Sequence, residues 1–101
     1  MRTTITARHF TASPALRQHV SDRLTKLEKY YDGITDAHVV LHKNSLTKTA
    51  EITLSVYRQR LSAQDVAKTY EEAIDGCIAR LRKQVIRYKD KKRSTKKNVH
   101  R

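Results

Sequence analysis

Along the 101-residue chain, apolar positions follow two periods, and each change of period marks a new element. Residues 2–8 are rich in β-branched types and alternate, with Thr3, Ile5 and Ala7 on one face, as in a short half-buried strand. A helix follows, capped by Ser13 and opened by Pro14, whose missing N–H costs nothing at the first helical position. Leu16, Val20, Leu24, Leu27 and Tyr31 recur at steps of four and three and make one apolar stripe. Asp32-Gly33 is the expected stop, with Gly33 in the left-handed conformation.

From residue 35 to 64 the period becomes two: Ala37, Val39 and Leu41, then Ala50, Ile52, Leu54 and Val56, then Leu61 and Ala63. Three antiparallel strands are predicted. A loose polar turn at 44–48 joins the first two, and a tighter one at 57–60 joins the last two without the usual Gly or Asn-Gly, leaving its register open. The alternate positions Glu51, Thr53, Ser55, Arg58, Arg60, Ser62 and Gln64 are polar, so one side of the sheet faces water and helices cover the other.

Thr69 and Glu72 fit a capping box for a second long helix, and Glu71, Glu72 and Asp75 place negative charge near the positive end of its dipole. Its apolar stripe is Ile74, Ile78, Leu81, Val85 and Tyr88, with Ala73 and Cys77 alongside. The helical pattern continues to about Arg93, and residues 94–101 read as a disordered basic tail. The order is therefore β-α-β-β-β-α, an α+β fold, in a single domain over residues 1–93.

Composition narrows the class. Aromatic residues are few and Trp is absent, so the core is mainly aliphatic. The lone Cys77 has no internal disulfide partner, which fits a reducing compartment. No apolar run approaches the length of a membrane span, and the first residues lack the apolar stretch of a signal peptide. The expectation is a cytoplasmic protein with no membrane partner.

Charge points to the partner. Residues 79–101 hold 11 of the 22 Lys and Arg but one acid of 10, Asp90, for a net +10, whereas residues 1–78 carry +2. Such segregation suits a polyanion, because one end can lie along phosphates while the rest folds near neutrality. On a helix, Arg80, Lys83, Arg87 and Lys91 share one stripe spanning roughly a quarter of the circumference. Arg82, Lys89 and Arg93 form a second line on the other flank of the apolar stripe. Like charges at i, i+3, i+7 and i+11 repel, so stability alone disfavours the arrangement and binding accounts for it. Two basic edges on one helix suit folded RNA better than one strand in a groove. A double-stranded-RNA-binding domain has a similar core but a basic start to its final helix; here that start is acidic at Glu71, Glu72 and Asp75.

At this point the sequence resembles the bacterial ribosome hibernation-promoting factor family and its sister group, the ribosome-associated translation inhibitors. The segments that carry the resemblance are Ile5-Thr6-Ala7-Arg8-His9, Ala15-Leu16-Arg17 with Val20, Lys26-Leu27-Glu28-Lys29-Tyr30-Tyr31-Asp32, Val39-Val40-Leu41, Ala73-Ile74-Asp75-Gly76, and Arg82-Lys83-Gln84-Val85 through Tyr88-Lys89-Asp90-Lys91. The resemblance implies a four-stranded sheet with two helices packed on one face. It also implies docking on the small ribosomal subunit and its ribosomal RNA at the decoding region, in the messenger channel and the A and P sites. Translation would be silenced there in stationary phase or stress by exclusion of tRNA and messenger. Carried onto matching positions, the RNA contacts are Lys26 and Lys29 on the first helix, and Arg80, Arg82, Lys83, Arg87, Lys89, Lys91 and Lys92 on the second. Arg8 and His9, at the end of the first strand, are further candidates. Two positions depart from the family pattern: Thr69-Tyr70-Glu71 leads into the second helix, and Ala7 stands where Gly is common. The chain resembles the short form, which relies on a separate ribosome modulation factor for ribosome dimerisation.

Catalysis is not expected. The five His residues lack metal-ligand spacing: His38 and His42 lie about 13 Å apart along a strand, too far to share an ion. Cys77 sits beside an apolar stripe, as a small buried hydrophobe does. With Gly33 and Gly76 the only glycines, no phosphate-binding loop is present. The chain reads as a non-enzyme with no cofactor, metal or small-molecule substrate. Two other readings are a general structured-RNA-binding or RNA-chaperone module, and an adaptor whose basic helix meets an acidic protein or membrane surface. Commitment of the helix's apolar stripe to the sheet counts against the adaptor.

Overall fold

The structure is a computed structural model that describes the backbone of residues 1–99 and the side chains of residues 1–91. Strand β1 (Arg2–Ala7) leads through α1 (Pro14–Glu28) to β2 (Asp36–Asn44), β3 (Thr47–Val56), β4 (Gln59–Ala67) and α2 (Tyr70–Val99). The sheet order is β1-β2-β3-β4. The α1 crossover lets β1 run parallel to β2, with Ile5 opposite Val39, while β2, β3 and β4 form an antiparallel meander.

The alternation read from the sequence sets which face is dry. Ala37, Val39, Leu41, Ala50, Ile52, Leu54, Val56 and Leu61 are buried, and they meet Leu16, Val20, Leu24 and Leu27 from α1 and Ala73, Ile74, Cys77, Leu81 and Val85 from α2. The opposite face carries exposed Glu51, Arg60, Ser62 and Gln64. Ser13 caps α1 by accepting from the Leu16 N–H at 3.1 Å, with Pro14 first in the helix. Thr69 caps α2 in the same way, its hydroxyl accepting from the Glu72 N–H at 3.1 Å.

Several boundaries differ from the expectation. Helix α1 ends at Glu28, with Lys29 as an αR cap, and Gly33 has no positive φ. The far end of the Tyr31 ring lies where a Cβ on Gly33 would stand. Tyr31 lies beyond the helix yet still packs on the core, edge-on to Tyr88 at 5.5 Å. Left-handed backbone occurs instead at His9 (φ 65) and Arg58 (φ 61). The bend after β1 thus falls on His9, two residues past Ala7. The 44–48 turn is tight, because pairing extends to Asn44 opposite Thr47 and leaves Ser45-Leu46 at the tip. Val56 pairs with Gln59, so Tyr57-Arg58 form the second tip, and β4 continues past Gln64 to Ala67. The α2 backbone continues to Val99, past the expected end at Arg93 and through the segment read as a disordered tail. No Gly or Pro follows Gly76 to break it, and Lys and Arg favour helix. His100 and Arg101, the remainder of that tail, lie outside the described residues.

Gly76 permits a close approach of α2 to β4. A Cβ there would collide with the Asp65 carboxylate and come within 3.2 Å of the Asp65 Cβ. The absence of a Cβ lets the helix come close to Asp65 of the strand at this point.

Leu24 and Leu81 sit at the centres of the two helical stripes and are almost wholly buried. Leu24→Ala and Leu81→Ala should each cost about 2 to 5 kcal/mol, from lost transfer energy and the residual cavity. Thermal melts that match the parent would show the core face to be misassigned.

Candidate nucleic-acid interface

Helix α2 has three kinds of flank. Its apolar stripe meets the sheet, one edge lies against β4, and the other faces α1. The β4 edge is held by side chains reaching strand carbonyls. Arg80 Nη1 donates to the Gln64 carbonyl at 2.8 Å, and Gln84 Nε2 donates to the Ser62 carbonyl at 2.8 Å. Residues two apart on a strand direct their carbonyls to the same side, so Arg80 and Gln84 satisfy neighbouring acceptors on the outer edge of the sheet. One turn further along α2, the Tyr88 hydroxyl donates to the Tyr57 carbonyl at 3.0 Å.

Arg80, expected among the RNA contacts, also has partners within the fold. Its side chain is 61% exposed, but its guanidinium is engaged with Gln64 and lies 3.7 Å from the Asp65 carboxylate. It positions β4 against α2. Lys83, Arg87 and Lys91 remain exposed along the outer surface, with Arg87 and Lys91 beside Gln59, Leu61 and Tyr88 in a shallow groove between α2 and β4.

On the α1 side, the structure brings together residues far apart in sequence. Lys89 Nζ donates to the Tyr30 carbonyl at 3.2 Å, just past the end of α1. The Arg82 guanidinium lies over the Tyr30 ring at 5.9 Å. Lys26 and Lys29 are exposed on the last turn and cap of α1, so both helices contribute cations at this end. Arg58 and Arg60, which the sequence reading left out of the site, are exposed at the start of β4 and its turn. The Lys92 side chain lies outside the described residues.

Arg8 and His9 do not join this cluster. They follow β1 beside Phe10, whose ring stacks on Tyr70 at 4.7 Å, and Tyr70 is the first residue of α2. That is the opposite end of α2 from Lys83–Lys91. Tyr70 itself belongs to the packing: burial pushes its phenol pKa up, and Lys48 lies 5.6 Å from its ring centre.

Asp75 does more than offset the helix dipole, the whole role expected of it. Its Oδ1 accepts from Arg23 Nε at 2.8 Å and lies 2.8 Å from His19 Nε2, tying α2 to α1. Burial alone would raise its pKa, but the hydrogen bonds from Arg23 and His19 outweigh that and hold the carboxyl below its ordinary 3.8. Cys77 has no exposed surface, and its Sγ donates to the Ala50 carbonyl at 3.2 Å. Burial, with the Asp65 charge adding to it, pushes the thiol pKa up to about 11, so it is neutral at physiological pH and is no nucleophile.

The sigma 54 modulation protein / S30EA ribosomal protein family matches residues 3–93 of this chain. The chain belongs to that family. It is 35% identical over 91 residues to the ribosome hibernation promoting factor of Escherichia coli K12, covering 90% of this chain and 96% of that one. The factor of the same name from Klebsiella oxytoca is 32% identical over the same shares. Among solved structures, the Protein Y N-terminal domain of Thermus thermophilus superposes with a TM-score of 0.81 at 28% identity, covering 87% of this chain and 99% of that one. A ribosomal subunit interface protein from Coxiella burnetii shares the fold, with a TM-score of 0.84 at 24% identity over 89% of this chain and 99% of that one. The family is not enzymatic, and neither is this protein. Among the described residues no helix is long and apolar enough to cross a membrane.

Replacing Asp75 with Asn should destabilise the protein at neutral pH by about 0.5 to 1 kcal/mol, a small value because water reaches the carboxylate. Folding lowers the Asp75 pKa, so its stabilisation is complete above the ordinary carboxylate value and vanishes as pH falls through the folded one. Melts from pH 7 down to pH 2 should therefore show the gap between parent and D75N closing at the acid end. A gap constant with pH would remove Asp75 from the helix-to-helix tie.

Proposed function

We propose that this protein is a ribosome hibernation factor that binds the small ribosomal subunit through its ribosomal RNA. It occupies the decoding region, along the messenger channel and the A and P sites, and inactivates translation in stationary phase or stress by excluding tRNA and messenger. The observation that carries this reading is the basic end of the molecule. Lys83, Arg87 and Lys91 are exposed on the β4 flank of the second half of α2, and Arg82 and Lys89 on its other flank meet the end of α1 that carries Lys26 and Lys29. Such a surface binds phosphate at several points and needs no catalytic group, because occupancy alone blocks other ligands of the same channel. The relatives named above carry the name of ribosome hibernation promoting factors, which supports the ribosome as the polyanion.

The mechanism is steric and electrostatic. A folded α+β domain presents fixed cations, so little side-chain order is lost on binding compared with a flexible basic peptide. Counterion release from the RNA supplies much of the affinity. The protein should then co-sediment with small subunits at moderate salt and leave them at high salt. A ribosome modulation factor, added in sucrose gradients, reports whether the bound state favours dimers.

The deciding experiment is competition on purified ribosomes. Saturating initiator tRNA and messenger should displace the protein, and stoichiometric occupancy of one ribosome by both P-site tRNA and this protein would overturn the mechanism.

Charge reversal at Lys83 and Arg87 separates binding from folding. Both side chains are exposed, so K83E/R87E should keep the parent's melting temperature or raise it slightly through new attractions to Arg80 and Lys91. Affinity for small subunits should fall steeply, and the slope of log affinity against log salt should become shallower by about one unit per lost phosphate contact. A folded double variant with the parent's affinity and slope would remove α2 from the interface.

A further inference from the structure

Three of the five tyrosines are explained by the core: Tyr31, Tyr70 and Tyr88 pack against it. Tyr30 and Tyr57 are not part of that packing and stand 41% and 62% exposed. They come from opposite sides of the domain, one following α1 and one in the β3–β4 turn, yet the same turn of α2 anchors both. Lys89 donates to the Tyr30 carbonyl and Tyr88 to the Tyr57 carbonyl, so two consecutive helix residues hold the two backbones. Each ring also carries a guanidinium, Arg82 at 5.9 Å from Tyr30 and Arg58 at 5.2 Å from Tyr57. Arg58 sits there with φ 61, a conformation costly for a residue with a Cβ.

Exposed aromatic rings fixed at the backbone and flanked by arginine, within a surface rich in cations, match the chemistry of an unstacked nucleobase. Every base has a π-face, and stacking on tyrosine adds affinity that phosphate contacts do not provide. A continuous duplex offers no such face, because its bases are stacked on one another. The acidic groups nearest Tyr30 leave the site basic: Glu28 lies 3.8 Å from the Met1 amino group, and Asp32 is outnumbered by Lys29, Lys89 and Arg82.

We propose that Tyr30 and Tyr57 are nucleobase-stacking residues, which receive unpaired bases of structured RNA on either side of α2 while the basic side chains hold the phosphates. The inference rests on the RNA-binding function proposed above and specifies which RNA features that surface selects: loops, bulges and splayed bases over regular helix. It assigns Arg82 and Arg58 as positioning residues that orient the rings.

The test exploits the different salt responses of stacking and charge. Tyr30→Leu and Tyr57→Leu, each checked by thermal melt, should bind purified small ribosomal subunits about five- to a hundredfold more weakly than the parent, as loss of a base-stacking aromatic does. The log–log salt slope should stay unchanged, because no phosphate contact is removed. Tyr30→Phe and Tyr57→Phe should keep the parent's affinity. Leu variants that bind like the parent would overturn the proposal and assign the rings to an apolar protein contact or to none. Phe variants as weak as the Leu variants would assign the effect to the hydroxyls, and a shallower slope would assign it to displaced arginines; either overturns stacking. A second measurement does not need ribosomes. The chain has no Trp, so Tyr30→Trp and Tyr57→Trp each create a single reporter, and saturation with a short oligoadenylate at low salt should quench both. Unquenched fluorescence at full occupancy would also overturn the proposal. Failure of the parent itself to bind ribosomes would instead count against the proposed function, leaving the quenching result to judge the rings.

Discussion

Burial of one stripe on α2 is the interaction on which the rest depends. Ala73, Ile74, Cys77, Leu81 and Val85 are completely buried against the sheet. Each large side chain there is worth about 1.5 to 3 kcal/mol in removed apolar surface. The same helix carries a line of cations whose repulsions cost a few tenths of a kcal/mol per pair in water. The apolar stripe exceeds that cost, so the helix can hold its charges in place before any polyanion arrives. An isolated peptide of this sequence would have the repulsion without the burial.

Docking α2 also resolves the sheet's exposed edge. Among the described residues, strand β4 has no partner strand on its outer side. Arg80 and Gln84 meet carbonyls of that edge, and the Tyr88 hydroxyl meets one in the adjoining turn. This blunts the tendency of an open edge to recruit another strand. The bonds also set the helix register on the strand, with Gly76 allowing close contact beside Asp65. On the other flank, Asp75 and Lys89 fasten α1, one near each end of the shared interface. The placement of Lys26 and Lys29 beside the α2 cations follows from those ties.

A division of labour by position along α2 emerges. Its first half is structural: acidic residues near the capped start, a tie to α1 through Asp75 and the buried thiol of Cys77. Its second half carries the cations outward. Arg80 stands at the boundary, charged like the second half but engaged like the first. Outward-facing arginines and strand-binding arginines have the same composition and the same helical spacing, and what separates them is whether a carbonyl edge lies within reach.

Local chemistry was enough to read the six elements, the capping of both helices by Ser13 and Thr69, the dry face of every strand and the segregation of charge. Each depends on residues within one or two turns or on strict alternation, so the linear order carries the information. Other features were decided by contacts between distant segments. Gly33 was legible as a break but its surroundings were not: its backbone is not left-handed, and the far end of the Tyr31 ring lies where a Cβ would stand. Left-handed backbone fell on His9 and Arg58, where no glycine announced it; at Arg58 the β3–β4 register leaves a two-residue tip that needs it. Likewise Asp75 read as a dipole charge, Arg8 and His9 could be placed only at the end of the first strand, and Tyr30 and Tyr57 gave no sign of their shared anchor. Their roles follow from which groups lie opposite once the sheet and helices have packed. The sequence by itself thus determined the elements and the sign of the surface, because these follow from propensity and charge. Only the tertiary structure decided which cations are engaged internally and which face outward, because that depends on acceptors supplied by strands far away in the chain.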